Sequence, residues 1–370
     1  MSHEAKDEIS RVGAAGLTWA LCIPTLGRPT SLRLALDCAA RQTVRPSQII
    51  VVDASDDWEA NLASLADLMP RFEGIEFIYL GSPFKSSAVQ RNMALSHVTA
   101  SIIFFFDDDS YMYPDCAEKV LAIYAADQGR RVAGLTGANA PISPLSVEGM
   151  EQKISGTRKT GFRGMIHQSS IGRWIWREVF MMDATRLFVE YDAPRHFPAD
   201  AGAIDPALKG LRVIRFLPGF FLTVRSEVAR SEPFDDSLLA YSPGEDLDAT
   251  YRFGRHGFLI QTDTARLHHF EAAAARLKRQ KVTALAVMNI AFFLRRNSSD
   301  LGTHRRKFFV MALRRVFAEF LKDGLSRRWR FPQVAGTWYA LRRAPAIFAL
   351  PDENLSEGYK AMQRQVLEWT

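Results

Sequence analysis

The chain has 370 residues, of which 47% are hydrophobic and 24% charged, and its 25 Phe and 7 Trp exclude a chain that is disordered as a whole. Its formal net charge of +6 is unevenly placed: from Arg276 to Arg343 there are 17 Lys plus Arg against Asp300, Glu319 and Asp323, a local +14 that leaves the remainder at −8. The basic segment reads either as solvated helix faces or as a surface attracted to anionic lipid headgroups or an acidic polymer.

The first sixteen residues, MSHEAKDEISRVGAAG, carry acids early and have no apolar centre, so they read as a polar leader and not as a secretory signal. Leu17 to Ile23 is apolar up to Pro24. Gly27 and Pro29 then punctuate before Leu32, Leu36 and Ala39 recur at helical spacing, which predicts strand, loop and helix. Ile49 to Val52 is a short continuous apolar run, the pattern of a strand buried on both faces, and Asp53 follows it directly. Leu62, Leu65, Ala66 and Met69 predict a helix, Ile75 to Leu80 a strand, and Ala88 to His97 a further helix.

Ser101 to Phe106 then runs into Asp107, Asp108 and Asp109. Strands alternating with helices predict an α/β fold with a mostly parallel sheet, whose ligand crevice lies at the strands' carboxyl ends, so Asp53 and the acidic triplet are expected on one rim. Beyond about Pro141 the pattern loosens: Gly156, Gly161, Gly164 and Gly172 space polar and aromatic residues, and Phe216 to Val224 reads as one more strand. From Ala272 onward strand signals end. Val282, Leu285, Ala286 and Asn289, then Phe309, Leu313, Val316, Phe317 and Phe320, describe amphipathic helices. The longest apolar run, Ala284 to Leu294, is interrupted by Asn289 and is too short to span a bilayer. Cys22, Cys38 and Cys116 are widely spaced and odd in number, which fits a reducing cytoplasm better than a disulfide framework or zinc site.

Three consecutive carboxylates at the end of an apolar strand repel one another unless a cation screens them. Hard oxygen ligands suit Mg²⁺ or Mn²⁺, which complete their shells with substrate phosphates; the plainer reading is a solvated acidic turn. His268 and His269 offer an imidazole to such a metal or to a phosphate, and Thr25, Arg28, Arg91 and Asn92 stand beside the same rim, where an Arg suits a phosphate or a base edge. A second acidic group, Glu245, Asp246 and Asp248, opens a helical stretch that also carries Arg252. It reads either as ordinary capping or as the source of a carboxylate, not bound to the metal, that takes a proton from an attacking hydroxyl.

In order, LCIPTLGRPTSLRLALDCAARQTVRPSQIIVVDAS, IIFFFDDDSYMYPD and FLPGFFLTVRSEVARSEPFDDSLLAYSPGEDLDATYRFGRHGF resemble the family-2 glycosyltransferases, inverting enzymes with the GT-A fold, over roughly residues 17 to 270. The resemblance implies that Asp109 coordinates the metal bridging the donor's diphosphate, with Asp107 as its neighbour and Asp108 on the donor side. It implies further that Asp53 hydrogen-bonds the nucleotide base and that Thr25 and Arg91 flank the nucleotide. Asp246 becomes the general base, and Glu245 orients the acceptor. The chain departs from the family after the second strand, where Asp53-Ala54-Ser55-Asp56-Asp57 replaces a longer acidic-glycine-serine run, so the base contact falls to Asp53 or Asp56.

The expected organisation is therefore a leader at 1–16, a GT-A catalytic domain at 17–271 (a nucleotide-sugar and metal half at 17–140, an acceptor half at 141–271) and a basic helical extension at 272–370. The expected partners are a nucleotide-diphosphate sugar and a glycan or lipid-linked acceptor, with peripheral contact at the anionic inner face of the cell membrane and no nucleic acid. Two rival readings stand. An aspartyl-phosphate hydrolase needs Thr or Val where the chain has Tyr111, and a nucleotidyltransferase is expected to carry a glycine-rich phosphate loop where IPTLGRP has only Gly27. The other rival is an inactive membrane-surface scaffold, against which the intact acidic groups argue.

Overall fold

The computed structural model describes residues 16–145, 169–182, 199–241, 243–270 and 277–369. The leader up to residue 15, the glycines at 156, 161 and 164, and the expected domain break near 272 lie outside them. In chain order the elements begin with β1 (Trp19–Thr25), α1 (Pro29–Ala40), β2 (Gln48–Asp53), α2 (Trp58–Ala63), β3 (Glu76–Gly81), α3 (Ser87–Leu95), β4 (Ile102–Phe105), β5 (Ser110–Met112), α4 (Cys116–Ala126) and β6 (Val132–Asn139). There follow α5 (Ser170–Trp174), β7 (Arg212–Ile214), β8 (Leu222–Arg225), α6 (Ser226–Ser231), α7 (Glu245–Phe253) and β9 (Phe258–His269). Four helices complete the chain: α8 (Arg279–Asn297), α9 (Leu301–Leu325), α10 (Pro332–Phe348) and α11 (Leu355–Leu367).

The chain divides into two compact units. Among the described residues the first holds the strands, in a nine-stranded sheet of order β3-β2-β1-β4-β8-β6-β9-β5, with β7 on β9. Every residue of β1, β2 and β4 is buried, which is why these strands read as continuous apolar runs. The parallel character expected from the sequence belongs to β3-β2-β1-β4 and to β6 on β9. The pairs β4–β8, β6–β8, β5–β9 and β7–β9 are antiparallel, so the fold is a mixed α/β one.

Two local expectations are corrected. The helix predicted through Leu62 to Met69 is broken: α2 stops at Ala63 and a 3-10 turn, Ala66–Phe72, takes over around Pro70, whose ring cannot donate to the ladder. The strand predicted over Phe216 to Val224 begins only at Leu222, because Pro218 opens a turn at Gly219–Phe221. That turn matters for the site.

Register places the site. Thr25 pairs with Asp53 and Asp53 with Gly81, so three strands end level. Gln90 of α3, fully buried, donates from Nε2 to the Thr25 carbonyl at 2.8 Å and to the Val52 carbonyl at 2.6 Å, pinning the ends of β1 and β2. Pro29 at the start of α1 supplies a preformed φ and no wasted donor, and the Ser86 side chain caps α3.

The second unit comprises α8 to α11 with the described residues among 148–195 and 236–245. Gly336 lets α10 approach α8 closely, since a Cβ there would lie 2.5 Å from the Gln280 carbonyl. Asn289, which interrupts the apolar run of α8, is buried: its Nδ2 donates to the Pro243 carbonyl at 2.8 Å and its Oδ1 accepts from the Tyr359 hydroxyl. The basic residues of this unit are not all on its surface. Arg315 faces inward, where burial pulls its pKa down against the opposing Glu319 carboxylate; Lys322 also pairs with Glu319, and Arg295 with Asp352. None of the described helices is long and apolar enough to cross a membrane.

Candidate active site

The apolar run of β4 ends at Phe106, and the chain turns through Asp107, Asp108 and Asp109 into β5. The three carboxylates do not act as a block. Asp108 turns back toward β1: Oδ2 accepts from the Thr25 hydroxyl at 2.6 Å and Oδ1 from Arg28 Nη1 at 2.9 Å. Burial, opposed by Arg28 and Thr25 and helped by the two neighbouring carboxylates, raises its pKa to about 7. Asp107 and Asp109 converge with His269, one ligand atom from each of the three lying within 4.8 Å of the others, while Asp109 Oδ2 is also 3.5 Å from Arg28 Nη1. His269 Nε2 is 3.2 Å from Asp109 Oδ1.

His269 reaches this point through strand pairing. β5 runs antiparallel to the end of β9, with Ser110 opposite His269 and Tyr111 opposite His268. Side chains alternate across a strand, so only one histidine of the pair can face the acids. His268 faces the other side, its Nδ1 2.9 Å from the Ala140 carbonyl and its ring stacked near Tyr111. The His269 ring lies flat on Phe220, at 4.6 Å between centroids and 10° between planes. Phe220 belongs to the Gly219–Phe221 turn, so the turn that replaces the predicted strand supplies a wall of the site.

Arg91 links the acids to the second acidic group. Only 1% exposed, its Nη2 sits 2.9 Å from Asp107 Oδ1 and 3.4 Å from the Gly219 carbonyl, with the guanidinium over the Phe234 ring. The Gly219 N–H donates in turn to Asp246 Oδ2 at 2.9 Å, and the Leu247 N–H to Asp246 Oδ1 at 2.8 Å. The two groups, far apart in sequence, are thus joined by one buried guanidinium and one backbone turn. Burial raises the Asp246 pKa, against its two N–H donors and Arg91. Glu245 opens α7 beside it, while Asp248 is committed elsewhere, to a buried ion pair with Arg252 at 2.7 Å. Asn92 likewise has a structural task, exchanging hydrogen bonds with the Phe234 backbone.

At the end of β2, Asp53 is 1% exposed and receives four donors: the Ser55 N–H and hydroxyl on Oδ1, Asn61 Nδ2 and the Tyr79 hydroxyl on Oδ2. An ionised carboxylate offers about four acceptor positions, so the protein's own groups fill it. Burial and the Asp53 carboxylate push the Tyr79 phenol up, keeping it a donor. Asp56 lies on the surface and pairs with Lys85. Sequence reasoning missed Gln90, Asn61, Tyr79, Gly219 and Phe220. Pro218-Gly219 just ahead of the buried strand β8 was the available signal for the last two; the others show only in three dimensions.

A mixed α/β sheet with acids gathered at its carboxyl-end rim is in keeping with the GT-A fold expected from the sequence. Residues 20–169 match the model of glycosyl transferase family 2. Among solved structures it is similar to a mannosyltransferase, PcManGT from Pyrobaculum calidifontis in complex with GDP-Man and Mn²⁺, at 12% identity and a TM-score of 0.49, covering 95% of this chain and 85% of that one. It is also similar to residues 1–349 of S. aureus TarS, at 12% identity and a TM-score of 0.47, covering 95% and 92%. No curated protein matches the sequence.

Proposed function

We propose that the chain is an inverting glycosyltransferase that moves a sugar from a nucleotide-diphosphate sugar to a hydroxyl of a glycan or lipid-linked acceptor, in the synthesis of cell-surface polysaccharide. The observation that carries this reading is the continuous link from Asp107 through Arg91 and the Gly219 turn to Asp246. It puts a cluster suited to a diphosphate beside a carboxylate suited to a proton.

The fit to a divalent cation rests on donor chemistry. Two carboxylate oxygens and one imidazole nitrogen converge within 4.8 Å, a set that Mg²⁺ and Mn²⁺ accept while keeping positions for phosphate oxygens. Held by Asp107, Asp109 and His269, such an ion would neutralise charge on the departing nucleoside diphosphate. The protein's own groups do the rest. Arg91 fixes Asp107 in place, and Arg28 and Thr25 hold Asp108 so that the turn keeps its shape. The Gly219 and Leu247 N–H groups aim the Asp246 carboxylate, whose raised pKa suits it to accept the acceptor hydroxyl's proton as the oxygen attacks the anomeric carbon. One bond forms from acceptor oxygen to anomeric carbon, the bond to the diphosphate oxygen breaks with its electron pair leaving on the nucleotide, and the centre inverts. Glu245, next in the chain, orients the acceptor. Asp53, occupied by Ser55, Asn61 and Tyr79, shapes the wall of the base site and contacts the base only by giving up one of these partners. The cysteines are buried thiols, in keeping with a cytoplasmic enzyme.

The test is a pair of variants. Asp246→Asn is expected to keep metal-dependent donor binding and lower transfer by about 10²- to 10⁴-fold. Asp109→Ala is expected to weaken metal-dependent donor binding itself by at least about 10-fold. Normal transfer by both variants would remove the proposal.

A further inference from the structure

Among the described residues 13 large hydrophobic side chains are exposed, and 11 of them belong to the second unit. Five lie on α9, of which Leu325 is its last residue and the other four are Val310, Leu313, Phe317 and Phe320, each between 48% and 58% exposed. The spacing of these four, three, four and three residues, sets them in one stripe along the helix, and Arg306 continues that stripe one turn earlier. The opposite face carries the buried Phe308, Met311, Ala312 and Ala318. The helix is therefore apolar on both sides, with its packing needs already met by the inner one.

The charges on α9 are sorted by face. Its two acids, Glu319 and Asp323, point inward, at 1% and 0% exposure, and are held there by Lys322, Arg315, Arg328 and Gln333. Arg305, Arg306, Lys307 and Arg314 are exposed. The outer face thus combines large apolar side chains with positive charge and carries no acid. A neighbouring element extends it. Arg314 Nη1 lies 3.4 Å from the Glu178 and Val179 carbonyls, and the Phe180 ring lies 6.2 Å from that of Phe317, which brings α5 and its following turn alongside with Trp174 and Val179 exposed. Beyond the end of α9, Trp329 is 72% exposed.

We infer that this face of the second unit, centred on the outer stripe of α9, is a docking surface for a bilayer containing anionic lipid. Apolar side chains enter the boundary between headgroups and acyl chains, the surrounding Arg and Lys meet lipid phosphates, and Trp suits the interface because its ring is apolar and its N–H polar. A second copy of the chain fits the same stripe poorly, since pairing like faces would oppose Arg306 and Arg314, and Asp300, the acid that acts on Arg306, is already engaged in capping α9 through the Thr303 N–H. Arg315, basic in sequence, takes no part because it faces inward. The inference stands apart from the transfer reaction and can fail without it.

The experiment is sedimentation of the full chain with vesicles of phosphatidylcholine alone and with vesicles containing about 30 mol% phosphatidylglycerol. The expected result is recovery with the anionic vesicles only, weakened at about 0.5 M NaCl. The double variant Arg305→Glu/Arg306→Glu and, separately, Leu313→Glu are each expected to reduce recovery at least about tenfold with an unchanged melting temperature and unchanged transfer to a soluble acceptor. Equal recovery from both vesicles, none from either, or unchanged recovery of either variant overturns the inference. So does a dimer in sedimentation equilibrium that Leu313→Glu dissociates, in the absence of vesicle binding.

Discussion

Asp108 shows how neighbours in sequence take different physical tasks. Asp107 and Asp109 turn to His269 while Asp108 is buried between Thr25 and Arg28, where desolvation outweighs the guanidinium and raises its pKa to about 7. The ordinary carboxylate value is about 4. Between those two values the folded state holds a proton that the unfolded chain has released, so stability of the metal-free protein falls as pH rises through that window, by roughly 4 kcal/mol at most. Urea unfolding in chelator at several pH values is expected to show this slope in the parent chain and its loss in Asp108→Asn. A slope identical in both would assign the burden to another group.

At the scale of elements, the placement of His269 depends on β6 and β9. Their pairing shifts register between Thr136, opposite Gln261, and Ala138, opposite Arg266, a bulge in which β9 carries the extra residues. Gly137 sits in the bulge. A Cβ there would lie 2.3 Å from both the Ala265 carbonyl and the Phe221 ring, so only glycine allows this approach. Gly137→Ala is expected to cost about 1–3 kcal/mol of stability. Because Phe221 belongs to the turn that holds Asp246, the same change should also weaken transfer, and calorimetry together with an activity assay checks both. The turn itself was legible only as Pro-Gly; that it would hold a carboxylate was not, since the partner lies 27 residues further on.

For the whole molecule, the two units carry separate chemistries. The sheet unit gathers the acids of the candidate site, and the helical unit carries most of the exposed large hydrophobic side chains among the described residues together with the basic segment. A ligand that binds only the folded state stabilises it by about 2.7 kcal/mol at a hundredfold excess over its dissociation constant. Thermal melts with nucleotide-diphosphate sugars are therefore expected to rise with the correct donor in the presence of Mn²⁺ and to stay flat in chelator. A rise equal in both conditions would detach donor binding from the acidic cluster.

What the sequence by itself determined is local and periodic: the continuous apolar runs of β1, β2 and β4, the helical stripes after residue 277, and carboxylates at strand ends, since these depend on side-chain pattern over a few residues. Tertiary structure alone decided which of two adjacent histidines faces the acids, that Arg91 is a buried link, that Asp53 is occupied, and that Arg315 and Glu319 turn inward while Leu313 and Phe317 do not. The reason is that strand parity, register and burial are set by partners tens of residues away, and no local pattern records which partner a side chain will meet.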